Sequence, residues 1–367
     1  MKKLNDPVRK VNAQSVGLDV HKTVTVYCVL DAGGSVLEEG RFPSKREEFT
    51  ALINRMLAQG ETHFAFEASR SSLWVYGVMA EFMDEDHIHL AQAKRIRAIA
   101  NSTAKNDAND AWWLSYLTYE GGLPEAYVPE PVMLELRIVT RERRSCVGRR
   151  TELINRFKAH LAQIGESVPS SSVSTLKARK FMRDIAVETT GARGQALRAG
   201  LRELEQQEAS ILEWEEAIDK IASGTPAVKQ LADEIPGVGR ILSATIVAEA
   251  GDIRRFKSAK AFGRATGLTP SDQSTSGRTQ HGGITREGNP NLRWAMTQAA
   301  MGCLRSRKGA GLAAGNWIRS KEKRMGNKAK ARAAGGRKLA EAIWRLFNLG
   351  ECFDAARPFG GKHSMPA

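Results

Sequence analysis

The sequence predicts a fold of α/β plus α class, a mixed first third followed by two mostly helical thirds. Two observations point there. Between Gln14 and Glu67, short β-branched runs alternate with tight turns and one helical pattern. From Met133 onward, apolar residues recur at helical spacing, with only Gly, Pro and Ser clusters as breaks.

In chain order, QSVGLDV (14–20) reads as a strand, TVTVYCVL (23–30) as a second, and AGGSVLEEGRF as a glycine turn into a third, together an antiparallel meander. SKREEFTALINRMLAQG places Phe49, Leu52, Ile53, Met56 and Leu57 on one helical face, with Ser44 expected as N-cap and Glu47 in the capping-box position. THFAFEAS is a further strand, SLWVYGVMAEFM a helix, HIHLAQA a strand carrying His87 and His89, and Asp107 to Leu117 a helix. The order β-β-β-α-β-α-β-α is that of the ribonuclease-H-like fold.

The chain has 367 residues, a hydrophobic fraction of 42% and a formal net charge of +14. That length accommodates two or three domains. Residues 1–120 hold 14 Lys+Arg against 16 Asp+Glu, residues 121–227 hold 16 against 15, and residues 228–367 hold 25 against 10. Nearly all of the excess therefore lies in the last third, the distribution expected of a protein that binds a polyanion, with nucleic acid favoured. The N-terminus lacks the apolar run of a signal peptide, and no stretch reaches the length of a membrane span. Cys28, Cys146, Cys303 and Cys352 are widely separated, without zinc-ligand spacing, and read as reduced thiols of a cytoplasmic protein.

Four carboxylates stand out in the first third. Asp19 lies near the end of the most apolar early strand, Glu67 ends the next core strand, and Asp107 and Asp110 share a helix face three residues apart. Converging carboxylates repel one another unless a cation joins them. Oxygen donors at this density suit Mg²⁺, and paired ions can clamp the attacking and leaving oxygens of a phosphodiester.

The motifs GLDVHK, FEAS and AKNDANDA resemble the DEDD tetrad of insertion-sequence transposases related to the Piv DNA invertase, the one-hundred-and-ten family. The resemblance implies a RuvC-like N-terminal domain, with the tetrad on Asp19, Glu67, Asp107 and Asp110. Asn106 stands where the family usually has Thr, and Ser69-Arg70 where Thr-Gly is common, and neither departure removes a ligand. Lys105, within the last motif, is a candidate phosphate contact.

Pro124, Pro129 and Pro131 mark a boundary. The helical run from Met133 to Ile164 carries the basic patch RERRSCVGRR, and a second helix is expected over Gln195–Ala222. There Leu197, Leu204, Ile211 and Ile218 lie seven apart, with Leu201 and Trp214 beside them, a coiled-coil seam interrupted by Glu208 and Glu215. The seam suits a dimerisation arm or a helical hairpin closed within the chain. The expected domains are 1–125 (RuvC-like), 126–225 (coiled-coil or helical spacer) and 226–367 (C-terminal transposase domain).

In the last third, PGVG sits between two helical patterns. Gly237 and Gly239 allow a sharp turn and expose amides at the next helix start, a helix-hairpin-helix-like arrangement suited to phosphate. Arg240, Arg254, Arg255 and Lys257 follow as candidate contacts, and Lys328 and Lys330 lie in the dense basic segment IRSKEKRMGNKAKARAAGGRK. Between them, GLTPSDQSTSGRTQHGGITREGN (267–289) reads as a long Gly/Ser/Thr loop, with Arg278, Arg286 and Arg293 positioned to bind phosphate.

IPGVGR, FGRATGLTP, SGR and GGITREGNPNLR occur in the order of the same family, so the resemblance covers nearly the whole chain. It implies a catalytic serine in this loop. Spacing to the ITREGN segment points to Ser274, the favoured choice, and the Ser-Gly dipeptide points to Ser276. It further implies a site-specific recombinase working through a covalent serine–DNA intermediate, guided by a structured noncoding bridge RNA that pairs with donor and target DNA. Dimers assembling into tetramers are expected. Two competing readings are a RuvC-like metal-dependent nuclease or junction resolvase, and a non-catalytic nucleic-acid-binding protein.

Overall fold

The computed structural model describes residues 12–92, 95, 107–170, 172–275, 278–285, 287–354 and 359. The chain divides into two compact units, 1–128 and 129–367.

In the first unit, β1 (Gln14–Val20), β2 (Val24–Leu30) and β3 (Val36–Pro43) form the antiparallel meander. α1 (Arg46–Leu57) leads to β4 (Thr62–Glu67), α2 (Ser72–Met79) to β5 (Ile88–Ala91), and α3 (Asp107–Tyr119) follows. The sheet order is β3-β2-β1-β4-β5, with β1 antiparallel to β2 and parallel to β4, and β4 parallel to β5. This mixed five-stranded sheet is consistent with a RuvC-like domain.

Alternation along β1 and β4 decides what each face holds. Val16, Leu18, Phe64 and Phe66 are buried with Phe49, Ile53 and Met56 of α1 and Val75 and Met79 of α2. Burying each such side chain fully contributes about 1.5–3 kcal/mol, enough to fix the register. The opposite face takes α3, where Ala65 and Ala91 pack with Leu114 and Leu117.

Ser44 is not a helix cap. The N-cap of α1 is Lys45, without a side-chain bond. The Ser44 hydroxyl donates to the His21 carbonyl at 2.8 Å and lies 2.8 Å from the Thr25 hydroxyl, closing the β1–β2 connection instead.

The second unit begins with α4 (Pro131–Ala162), α5 (Leu176–Glu188) and α6 (Gly191–Ser223). α4 and α6 run antiparallel, as shown by the pairs Arg143–Glu215 and Arg156–Glu203. Leu197, Leu201 and Leu204 are buried against Leu153, Phe157 and Leu161 of α4 and Met182 of α5. The heptad face expected to serve a dimerisation arm is thus covered by the chain's own helices. The acids that interrupt it are neutralised, Glu208 by Arg179 and Glu215 by Arg143 and Arg240.

α7 (Pro226–Glu234) and α8 (Arg240–Ala250) flank the PGVG turn, and α9 (Ala259–Ala265) precedes two short strands. α10 (Pro290–Arg305), α11 (Gly309–Met325) and α12 (Lys328–Leu349) complete the unit. Leu136, Val139 and Ile218 of the helical pair lie in the same core as Ile246, Met296 and Ile343, so spacer and C-terminal segment share one interior.

The stretch 267–289 is not a structureless loop. β6 (Pro270–Thr275) and β7 (Arg278–Ile284) pair antiparallel, with Ser274 opposite Thr279 and Thr275 opposite Arg278. The Gly and Ser content signals turns, while the polar residues Gln273, Thr275, Thr279 and Gln280 form a ladder without an apolar alternation to reveal it. Among the described residues, no helix is long and apolar enough to cross a membrane.

Candidate active site

Gly17 sets the site's geometry. A Cβ there would overlap the Ala111 carbonyl oxygen and stand 2.5 Å from the Ser115 amide nitrogen. The missing side chain lets α3 lie directly on β1. Ser115 Oγ donates to the Ser15 carbonyl at 2.7 Å and lies 3.1 Å from Ser15 Oγ, a buried polar tie between the same two elements. Two residues beyond Gly17 on the same face comes Asp19, and α3 carries Asp107 and Asp110 in its first described turn. Leu18 pairs with Phe66, so Asp19 and Glu67 follow one another's register at neighbouring strand ends.

His21 stands between two of the acids, its Nε2 at 3.0 Å from Asp19 Oδ2 and 3.4 Å from Asp107 Oδ2. Asp19, His21 and Asp107 each offer a ligand atom within 4.8 Å of the others. Asp19 is only 15% exposed at its side chain, whereas Asp107 is half exposed, so the cluster opens to solvent on the α3 side. Burial pushes the Asp19 carboxyl above its ordinary range. The neighbouring His21 opposes that shift, while the charges of Asp107 and Asp110 add to it. A carboxylate so placed gains from a nearby cation. The donor set fits a hard divalent ion held by carboxylate oxygens, with His21 as an imidazole neighbour. His21 was missed by the sequence reading, although its place two residues after Asp19 was a usable signal.

The other predicted residues lie in the second unit or beyond the described residues. Lys105, Ser276 and Arg286 are outside the described residues. Ser274 lies on β6 and Arg278 on β7; of these two only the backbone is described. Gly237 has φ +78°, and a Cβ there would stand 2.9 Å from the Cys303 amide, so this glycine serves close packing of the turn on α10. Gly239 is exposed and is the N-cap of α8, the position from which helix amides face outward.

Arg240 is engaged within the chain, by Asp219 and, at 2.8 Å, by Glu215. Arg255 is folded back, donating to the Ala250 carbonyl at 3.2 Å and lying over the Phe256 ring. Sequence spacing does not display these intrachain partners, beside which the Arg240 side chain stays 54% exposed. Arg254 and Lys257 are exposed, and Arg293 is half-buried on α10. Lys328 and Lys330 are exposed at the start of α12, Lys328 standing 3.9 Å from Glu322. Partial burial, with the charges of Arg324 and Lys338 nearby, holds the Lys321 ammonium below its ordinary range. Positive charge is therefore crowded where α11 and α12 meet, with Glu322 and Glu341 interspersed.

A buried junction that the sequence reading also missed anchors the hairpin. The Glu249 carboxylate, its side chain wholly buried, receives Arg141 at 2.7 and 2.8 Å and the Asn289 amide at 2.6 Å. Burial pushes this carboxyl up, but the hydrogen bonds from Arg141 and Asn289 and the charges of Arg141 and Arg137 outweigh it and hold it below the ordinary range. Asn289 Oδ1 in turn accepts from the Asn291 and Leu292 amides, starting α10 directly after the hairpin.

Comparison with known proteins places these elements. A DEDD transposase profile of the IS110 type matches residues 16–166, and a profile for transposases of the IS116/IS110/IS902 family matches residues 229–313. The chain belongs to the IS110 family of transposases. It is 22% identical over 353 residues to the transposase for insertion sequence element IS1111A of Coxiella burnetii, covering 92% of this chain and 90% of that one. It is 25% identical to a "probable family 20 transposase" of Pseudomonas aeruginosa, over 68% of this chain and 74% of that one. A Sinorhizobium fredii protein described as a transposase is 34% identical over 156 residues, 42% of this chain and 40% of the relative. The chain is thus a DNA transposase enzyme, and its DEDD domain suggests a divalent-metal site at the acids described above.

Proposed function

We propose that this transposase is a site-specific DNA recombinase in which Asp19, Glu67, Asp107 and Asp110 hold Mg²⁺ and a serine of the β6–β7 hairpin is the nucleophile. The observation that carries the reading is the convergence of Asp19 and Asp107 on one point, with Asp110 close enough to perturb Asp19. When bound, the metal supplies Lewis-acid activation and charge neutralisation at a phosphodiester. The carboxylates position it, and α3, seated on Gly17, sets their spacing.

Ser274 is the favoured nucleophile and Ser276 the alternative. The hydroxyl attacks phosphorus, a P–O bond to serine forms, and one P–O bond to deoxyribose breaks, releasing a DNA hydroxyl end. Rejoining reverses this with a new strand end and frees the serine. An unaided hydroxyl is a weak nucleophile, so the reading requires acids and serine to meet at one phosphodiester, from one chain or from two. Support for DNA as the partner comes from the exposed Lys328, Lys330 and Lys257 in the basic last third.

Guidance by a structured noncoding bridge RNA and assembly of dimers into tetramers complete the proposal, both resting on family resemblance. A dimer would use surfaces other than the heptad face that α4 covers. The experiment is recombination between plasmids bearing an element end and a target, with and without the RNA flanking the gene. RNA-dependent joining that is lost in Glu67→Gln supports the reading. RNA-independent joining removes the guide, and cleavage that survives loss of both serines points to a RuvC-like nuclease.

A further inference from the structure

A second cluster of ligating side chains lies in the N-terminal unit, away from the tetrad. His63 is on β4, His89 on β5 and His87 just before it, while Glu61 precedes β4 and Glu125 follows α3. His63, Ala65 and Glu67 alternate onto one sheet face, so the cluster sits four residues from Glu67, roughly 13 Å along the strand at ~3.3 Å per residue.

The hydrogen bonds assign the tautomers. Glu125 Oε1 lies 2.7 Å from His89 Nδ1, and an ionised carboxylate only accepts, so His89 carries its hydrogen on Nδ1. His89 Nε2 is then an acceptor, and it lies 2.9 Å from His63 Nδ1, which must donate. With Nδ1 donating, Nε2 is the acceptor atom of a neutral His63 ring. That atom faces Glu61 Oε1 at 3.7 Å, and the same oxygen lies 3.5 Å from His87 Nε2. Glu61, His63 and His87 thus present three ligand atoms within 4.8 Å of one another. A carboxylate–histidine–histidine chain that orients a ligating nitrogen is the arrangement that fixes imidazole at metal centres.

We propose that Glu61, His63 and His87 bind a zinc-class transition-metal ion, with His89 and Glu125 orienting His63 from behind. Two imidazoles and one carboxylate suit zinc, at ligand distances of about 2.0–2.2 Å, with water completing four-coordination. The nitrogen-rich donors separate this site from the tetrad, whose acids offer oxygen to a harder ion. Its role is a clip. It ties the start of β4 to the start of β5, and through Glu125 it engages the segment that bridges to Ala91.

The test uses untagged full-length protein stripped with a chelator, titrated with zinc or cobalt and desalted. The wild type and Asp19→Asn each retain one equivalent of zinc, the cobalt form shows the strong visible bands of a four-coordinate site, and zinc raises the melting temperature. Glu61→Gln and His87→Gln change side chains 64% and 29% exposed, so the apo fold persists by circular dichroism while zinc affinity falls at least tenfold. Glu125→Gln weakens binding by about 10–100-fold, as loss of an orienting partner does. Three results overturn the proposal: no zinc retained by the wild type, undiminished retention in the Glu61→Gln/His87→Gln double variant, or loss of zinc in Asp19→Asn.

Discussion

Gly17→Ala adds one methyl group and probes how the acids are positioned. The new Cβ would stand 2.5 Å from the Ser115 amide nitrogen and 3.0 Å from Leu114 Cβ, besides overlapping the Ala111 carbonyl. Restoring ordinary contact of ~3.5 Å to Ser115 requires α3 to move at least about 1 Å from β1, and the nearer Ala111 carbonyl requires more. The nearest atoms are helix backbone, so no side-chain rotation relieves the overlap. Overpacking of this kind costs roughly 1–3 kcal/mol. Moving Asp107 and Asp110 by about 1 Å relative to Asp19 costs about 100-fold in the chemical step, by the usual sensitivity of catalysis to misplacement. The assays are thermal melting, divalent-cation titration followed by fluorescence of Trp112 and Trp113 on α3, and DNA cleavage. Gly77→Ala, where an added Cβ meets nothing within 4 Å, is the control and leaves all three unchanged or slightly raises stability. Wild-type cation affinity and cleavage in Gly17→Ala would refute the argument that this close approach sets the site.

Further outcomes are expected at three places in the chain. Arg141→Met strands the buried Glu249 carboxylate and destabilises by about 3–5 kcal/mol, whereas Glu249→Gln, which leaves a half-exposed Arg141 able to regain water, costs about 2 kcal/mol; denaturant melts check the order. Because the folded Glu249 carboxyl is held below its ordinary range, the wild type keeps this contribution above pH ~4.3 and loses it as pH falls through the lower folded value, a loss absent in Glu249→Gln. Asp19→Asn relieves carboxylate repulsion and raises the metal-free melting temperature, by about 1 kcal/mol of stability, while abolishing the ~2.7 kcal/mol that a cation at 100 times its Kd gives the wild type. With the Asp19 pKa raised in the fold, metal-free wild type gains stability as pH falls from neutral through that value, and Asp19→Asn does not. Lys328→Gln and Lys330→Gln each lower the slope of log affinity for DNA against log salt by about 1, measured by filter binding.

The strands of the first unit were legible because their apolar residues alternate. β1 occupies the expected Gln14–Val20, and β4 and β5 fall where Phe64, Phe66, Ile88 and Leu90 supply a buried face. Position near the end of an apolar strand singled out Asp19, and helical spacing with the AKNDANDA resemblance singled out Asp107 and Asp110; the structure brings Asp19 and Asp107 together. The β6–β7 hairpin was not legible, since its ladder is polar on both sides and its glycines read as loop. Nor was the fate of the heptad face, because a 3.5-residue repeat does not specify whether its partner is α4 or a second chain. Charge counts likewise could not reveal that Arg240 pairs with Asp219 and Glu215 or that Arg255 folds back onto the Ala250 carbonyl. His21 and Glu249 acquire their roles through residues 86 and 108 positions away, Asp107 and Arg141, which no local pattern displays.

The proposed attack of Ser274 or Ser276 on DNA, under control of the acids, is examined by trapping the covalent adduct. Wild-type protein is incubated with Mg²⁺, the flanking RNA and a nicked element-end DNA, then separated under denaturing conditions and mapped by mass spectrometry. A serine-linked oligonucleotide is expected at Ser274 in the wild type, and no adduct in Ser274→Ala or in Asp19→Asn. An adduct mapped to Ser276 would move the nucleophile two residues along the sequence. DNA cleavage of wild-type strength in the Ser274→Ala/Ser276→Ala double variant, with no adduct on any residue, would rule out a serine nucleophile.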